Sequence, residues 1–212
     1  MSHGTTRQPP SKIVCVGRNY RKHAEELGNV VPERPLLFLK PPSSLVGSGE
    51  TIVLPPESAR VEHEGEIGVV IGTRCRHVPE DGALSVVAGY CAVNDVTARD
   101  LQRLDGQWAR AKGFDTFCPM GPMAPASGLD WRELEVICQI DGERRQHGHA
   151  RDMAFGIPFL VSYISRVMTL EPGDLIVTGT PEGVGLLSPG SEVVVQVVGV
   201  SEVRNPVAAA TS

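Results

Sequence analysis

The stretch Glu62-His63-Glu64-Gly65-Glu66 opens onto the apolar run Ile67-Gly68-Val69-Val70-Ile71. Carboxylates two residues apart on an extended backbone point to one face, so Glu64 and Glu66 stand side by side at the mouth of a buried strand. Two like charges held there call for a cation. A hard divalent ion, Mg2+ or Mn2+, is the natural choice, because a few carboxylates hold it while other coordination positions stay open for water or substrate. Glu62 shares the parity of the pair but lies further from the apolar run and ranks behind it. His63 points the other way, as a packing or hydrogen-bonding residue. A third acid, Asp95, ends the apolar run Ala92-Val93-Asn94 and completes a three-carboxylate set. Spacing leaves an alternative equally open, in which Asp95 caps the turn after it and the glutamates pair with Arg or Lys.

Other residues bring proton-handling and charge. His23 and Glu26 share a face if their segment is helical, and a carboxylate beside an imidazole fixes its tautomer, which makes a general base. The competing reading is an exposed charged helix face. Lys112, in Ala111-Lys112-Gly113-Phe114-Asp115, offers a cation to a developing oxyanion or a substrate carboxylate, unless it is an ordinary surface lysine. Thr178-Gly179-Thr180-Pro181-Glu182-Gly183-Val184-Gly185 is no phosphate loop, but its amides and the Thr180 hydroxyl can hold a carboxylate. His147 and His149 alternate on one side of a strand or hairpin arm with no further histidine or cysteine close in sequence, and read as surface residues. Cysteines 15, 75, 91, 118 and 138 form no Cys-x-x-Cys pair and read as reduced core thiols.

These groups need a frame, and the punctuation of the chain suggests a mostly β one. Short apolar runs (Ile13 to Val16, Leu36 to Leu39, Thr51 to Leu54, Glu66 to Ile71, Val86 to Asn94, Glu135 to Ile140, Leu175 to Val177, Glu192 to Val200) are separated by Pro and Gly. Asp141-Gly142 predicts a tight hairpin. One amphipathic helix is predicted from Ile157 to Met168, packed across the sheet, and a short polar helix between Arg18 and Gly28. The latter has almost no apolar face and is expected to sit over a site. Residues 1–11 read as a disordered polar tail and 12–207 as a single catalytic domain, with frayed ends. A net charge of -5 and a pI near 5.7 leave no footprint for nucleic acid. No apolar stretch approaches the roughly 20 residues of a membrane span, and no signal peptide is visible, so the expected location is the cytoplasm.

Val16-Gly17-Arg18-Asn19-Tyr20, Phe38-Leu39-Lys40-Pro41, His63 to Gly68, Asn94 to Asp100 and Thr178 to Gly185 together resemble the fumarylacetoacetate hydrolase family. The resemblance spans about residues 13 to 205, with the motifs in order. It implies an α+β, mostly β fold, a mixed β-roll or barrel with few short helices, in a homodimer. It also implies Mg2+ or Mn2+ on Glu64, Glu66 and Asp95, catalytic His23, Glu26 and Lys112 with the first two on a closing lid, and a small 2-oxo acid contacted by Arg18, Tyr20, Gln102 and Thr180. The first expectation is metal-dependent carbon-carbon hydrolysis of an acylpyruvate or fumarylpyruvate. The alternatives are oxaloacetate decarboxylation, 2-hydroxyhepta-2,4-diene-1,7-dioate isomerisation and, last, a non-catalytic structural-metal protein.

Overall fold

The computed structural model describes residues 9–210. Eight of the eleven residues of the expected tail lie outside that range; Ser11 donates from Oγ to Asp174 Oδ1 at 2.7 Å.

The apolar runs assemble into two main sheets. A six-stranded sheet has the order Ala124–Pro125, Val87–Asn94, Gly65–Ile71, Leu175–Val177, Ile13–Gly17, Leu36–Lys40. Its Ile13–Gly17 and Leu175–Val177 strands run parallel and its other pairings are antiparallel. Both faces are covered: Val14, Val16, Ile67 and Val69 enter the main core, while Ile13, Cys15, Val93 and Leu175 join a smaller cluster behind. Burial on both faces explains why these strands read as continuous apolar runs rather than alternating ones. The five-stranded sheet, ordered Glu143–His149, Glu135–Ile140, Glu192–Val197, Ser201–Ala209, Ile52–Leu54, alternates instead. All five cysteines are buried and none forms a disulfide.

The hairpin turn takes Asp141 and Gly142 to φ values of 53° and 80°, the conformation that an Asp-Gly pair is suited to adopt between twisted strands. The amphipathic helix spans Ile157–Val167 and buries Ile157, Leu160, Val161 and Ile164. It lies mainly along the 3-10 segment Glu80–Val86 rather than across the sheet, with Ser162 Oγ donating to Val78 O at 2.8 Å. The C-terminus is not frayed through its last stretch: Ser201–Ala209 is a nine-residue interior strand. Its alternation of Ser201, Val203, Asn205 and Val207 inward is masked in sequence by two polar residues and Pro206. The proline sits just before parallel pairing begins at Val207, so its missing N–H is tolerated.

Three small strands set up the site. Val61–His63 leaves the central sheet to pair with Thr97–Ala98 and Gly185–Leu186. The chain therefore changes sheets at Glu64, and its partner strand does so just after Asp95.

Candidate functional site

The register of the central sheet brings the acids together. Gly65 pairs with Asn94, and one step further Asp95 N donates to Glu64 O at 2.9 Å. Asn94 Oδ1 accepts from Glu64 N at 3.0 Å, holding the turn-off point from both sides. Carboxylate oxygens of Glu64, Glu66 and Asp95 lie within 4.8 Å of one another, and all three residues are buried. Strand ends that splay between two sheets leave their side chains pointing into the gap rather than into a packed layer.

Charge inside this gap is tightly arranged. Lys112 Nζ donates to Glu64 Oε2 at 2.7 Å and to Asp95 Oδ2 at 2.6 Å, and Lys40 Nζ to Asp95 Oδ1 at 2.6 Å. Arg99 spans Glu62 Oε2 at 2.7 Å and Glu64 Oε1 at 2.6 Å, and its NH1 donates to Gln102 Oε1 at 2.7 Å. Glu62 is thus clamped by arginines, Arg60 being the second, and holds Arg99 in place. Burial alone would raise the Glu64 carboxyl, but Lys112 and Arg99 outweigh it and hold it well below the usual range. Burial would lower Lys112, yet Asp95 and Glu64 keep its ammonium charged above its ordinary range. Glu66 differs. Its Oε2 takes the backbone N–H of Gly179 at 2.5 Å, and burial, Asp95 and Glu64 push its carboxyl well above normal. Four buried acids, Glu62, Glu64, Glu66 and Asp95, face three buried bases, Lys40, Arg99 and Lys112. Glu66 is the acid left without a basic partner, on the Glu64, Glu66, Asp95 face, and an all-oxygen donor set of this kind fits a hard divalent cation.

The helix Arg21–Glu26 lies over these groups and buries His23 and Ala24. His23 Nδ1 is 3.3 Å from Glu26 Oε2, and Glu26 in turn accepts from Gly183 N at 3.0 and 3.2 Å. Gly183 needs to be glycine: its φ is +95°, and a Cβ there would lie 2.1 Å from Arg145 O. The glycine loop does hold carboxylates with its amides, but they are the protein's own Glu66 and Glu26. Thr180 Oγ1 is likewise engaged, donating to Gly65 O at 2.9 Å and accepting from Gln146 Nε2 at 2.8 Å.

A pocket enclosing about 60 Å³ is lined by His23, Glu64, Glu66, Asp95, Lys112, Arg18, Gln102 and Thr180, with Leu27, Phe38 and Trp108 as apolar walls. Arg18 adopts φ 57°, a strained conformation for arginine. Two predicted residues are not on this wall. Glu26 acts on it through His23, and Tyr20 packs beside Gly148 in the groove between the lid helix and strand Glu143–His149. Tyr20 precedes the helix Arg21–Glu26, bridges to Met153 and buries its ring in the main core, where burial and then the charge of Glu66 raise its hydroxyl. Lys40 and Arg99 carry no assigned role in the sequence reading, although both sit inside quoted motifs; cations next to apolar strand ends were the available signal. Gln146 gave none. It bonds His63, Gly65 N, Thr180 and Pro181 O from a hairpin far along the chain.

The description "Fumarylacetoacetate (FAA) hydrolase C-terminal" matches residues 12–208. The chain is 47% identical to the mitochondrial oxaloacetate tautomerase of Arabidopsis thaliana over 92% of its own length and 89% of that protein. It superposes with a TM-score of 0.89, at 46% identity, on 5-carboxymethyl-2-hydroxymuconate delta-isomerase from Mycobacterium smegmatis, covering 96% of this chain and 81% of that one. The fumarylpyruvate hydrolase of Pseudomonas aeruginosa, crystallised with Mn2+ and pyruvate, gives a TM-score of 0.90 at 34% identity, covering 98% and 94%. With a family match across nearly its whole length, carried on a shared fold, the chain belongs to the fumarylacetoacetate hydrolase family.

Proposed function

We propose that this protein is a divalent-metal enzyme that forms the enolate of a compact 2-oxo dicarboxylic acid, with oxaloacetate as the favoured substrate for tautomerisation or decarboxylation. The observation that carries this reading is the buried Glu64, Glu66, Asp95 face lying in one small pocket with His23 and Lys112. Glu64, Glu66 and Asp95 would hold Mg2+ or Mn2+; when bound, the ion supplies Lewis-acid stabilisation of the developing enolate. His23, its Nδ1 fixed by Glu26, moves the proton at the carbon next to the oxo group. Lys112 adds positive charge at the developing oxyanion, and Arg18 and Gln102 bind the distal carboxylate. The lid helix excludes water, which strengthens each of these charges.

This reverses the order of the sequence reading. Leu27, Phe38 and Trp108 form the apolar wall beside Arg18 and Gln102. The relative with an oxaloacetate activity shares more identity, 47% against 34% for the hydrolase. Acylpyruvate hydrolysis stays as the second reading on one observation, the His23/Glu26 pair, which suits a base that activates water. A homodimer working in the cytoplasm belongs to the same proposal, and light scattering tests the assembly.

The deciding experiment is a panel of oxaloacetate, acetylpyruvate and fumarylpyruvate with Mg2+ or Mn2+. Oxaloacetate turnover that exceeds the others, and that vanishes in folded Glu64→Ala and Asp95→Ala, is the expected result; full activity of either variant without metal rejects the site. His23→Ala lowers enolisation by about 10²- to 10⁴-fold. Selective loss of acylpyruvate cleavage in that variant, with oxaloacetate turnover intact, would establish the second reading instead.

A further inference from the structure

The hairpin whose inner face carries Gln146 has an outer face of a different character. His147 and His149 share that face by strand alternation, and the antiparallel register sets Glu135 directly opposite His149. His147 Nε2 lies 2.6 Å from Glu135 Oε1, and the two imidazole rings are 5.2 Å apart. One donor atom from each of the three residues falls within 4.8 Å of the others. Sequence distance hid the third ligand: Glu135 lies on the neighbouring strand, beyond the Asp141-Gly142 turn.

We infer that Glu135, His147 and His149 form a second metal site, which takes a zinc-class transition ion rather than the hard ion of the catalytic pocket. Two imidazoles and one carboxylate are the donors such an ion prefers, while Mg2+ and Mn2+ favour all-oxygen sets. Bonds of roughly 2.0–2.2 Å to one ion place ligand atoms about 3 Å apart, reachable here by side-chain rotation on a fixed ladder. An isolated, solvent-exposed His–Glu pair is worth at most about 1 kcal/mol, and needs no third group converging on it. Three ligands leave a coordination position open to water or a ligand from solvent. Glu135 and His149 are half-buried and His147 is exposed, so the site is open to ions from solution. Gly148 and Gln146 face the other way, toward Pro181 and the catalytic side.

The test is Zn2+ titration by calorimetry with Mg2+ in excess to occupy the carboxylate pocket. Wild type is expected to bind one more equivalent of Zn2+ than the His147→Ala/His149→Ala double variant. In Glu135→Gln the affinity at that site falls by more than about tenfold, the loss already seen when a group that only orients a ligand is removed. Turnover of the double variant stays at the wild-type level, which separates this site from the catalytic one. Equal stoichiometry and affinity in wild type and the double variant overturn the inference. Should the double variant unfold, wild type decides: Zn2+ must shift the imidazole NMR signals of His147 and His149, and unshifted signals overturn it as well.

Discussion

At the scale of single residues the acids near the pocket are inseparable from the cations that hold them. Glu64 and Glu66 were legible because their two-residue spacing fixes a shared face on any extended segment. The ion-pair alternative, weighed equally from spacing, is also present: Arg99, Lys40 and Lys112 are bonded to these acids, so the two readings coexist rather than compete. Lys112 is only 2% exposed and serves two carboxylates at once. Replacing it by methionine leaves buried charge uncompensated, and Lys112→Met is expected to cost about 3–5 kcal/mol in urea unfolding along with most turnover. A loss under about 1 kcal/mol would mean that Lys112 is not needed to neutralise the acids. Tyr20 was placed at the substrate by the family resemblance alone; it does not line the pocket and is buried beside Gly148.

At the scale of elements the lid is the informative case. A six-residue helix that buries only His23 and Ala24 has too little apolar contact to hold itself down, and polar contacts to the glycine loop hold it further. Gly183 carries that contact with a backbone no other residue adopts cheaply. Gly183→Ala is expected to cost upwards of about 1 kcal/mol in strain and to loosen Glu26. Trypsin then cleaves after Arg21 and Lys22 faster than in wild type, read by mass spectrometry of timed digests. Unchanged digestion would show that the latch does not hold the lid. The long apolar strands were readable from apolar runs with proline and glycine between them, whereas short ones such as Val61–His63 and Thr97–Ala98 were not. The missed strand, Ser201–Ala209, forms a hairpin with the preceding strand Glu192–Val197 and pairs on its other side with distant Ile52–Leu54; its polar residues and Pro206 hid the alternation.

At the scale of the whole molecule, the parallel pair Ile13–Gly17 with Leu175–Val177 joins the two sides of the central sheet. Asp174 pins the start of that pair: it accepts from Ser11 Oγ and Lys12 N on one side and Glu171 N on the other, and pairs with Lys12 Nζ. Burial raises its carboxyl, but these hydrogen bonds outweigh burial and set it below the ordinary 3.8. A carboxyl depressed in the native state adds stability above its unfolded value of about 3.9, and that stability is lost as pH falls through the native value. Asp174→Asn should therefore cost about 1–3 kcal/mol at pH 7, with the gap to wild type closing below about pH 4. A gap that persists unchanged in acid would assign the effect to packing. Among the described residues no helix is long and apolar enough to cross a membrane. The sequence by itself determined the strands, the hairpin, the carboxylate pair and the family, because each rests on local spacing or on motifs in linear order. Only the tertiary structure decided which cation meets which acid, where Tyr20 is buried, which side chains wall the pocket, and that Glu135 meets His147 and His149, because register and sheet order set those distances between residues far apart in the chain.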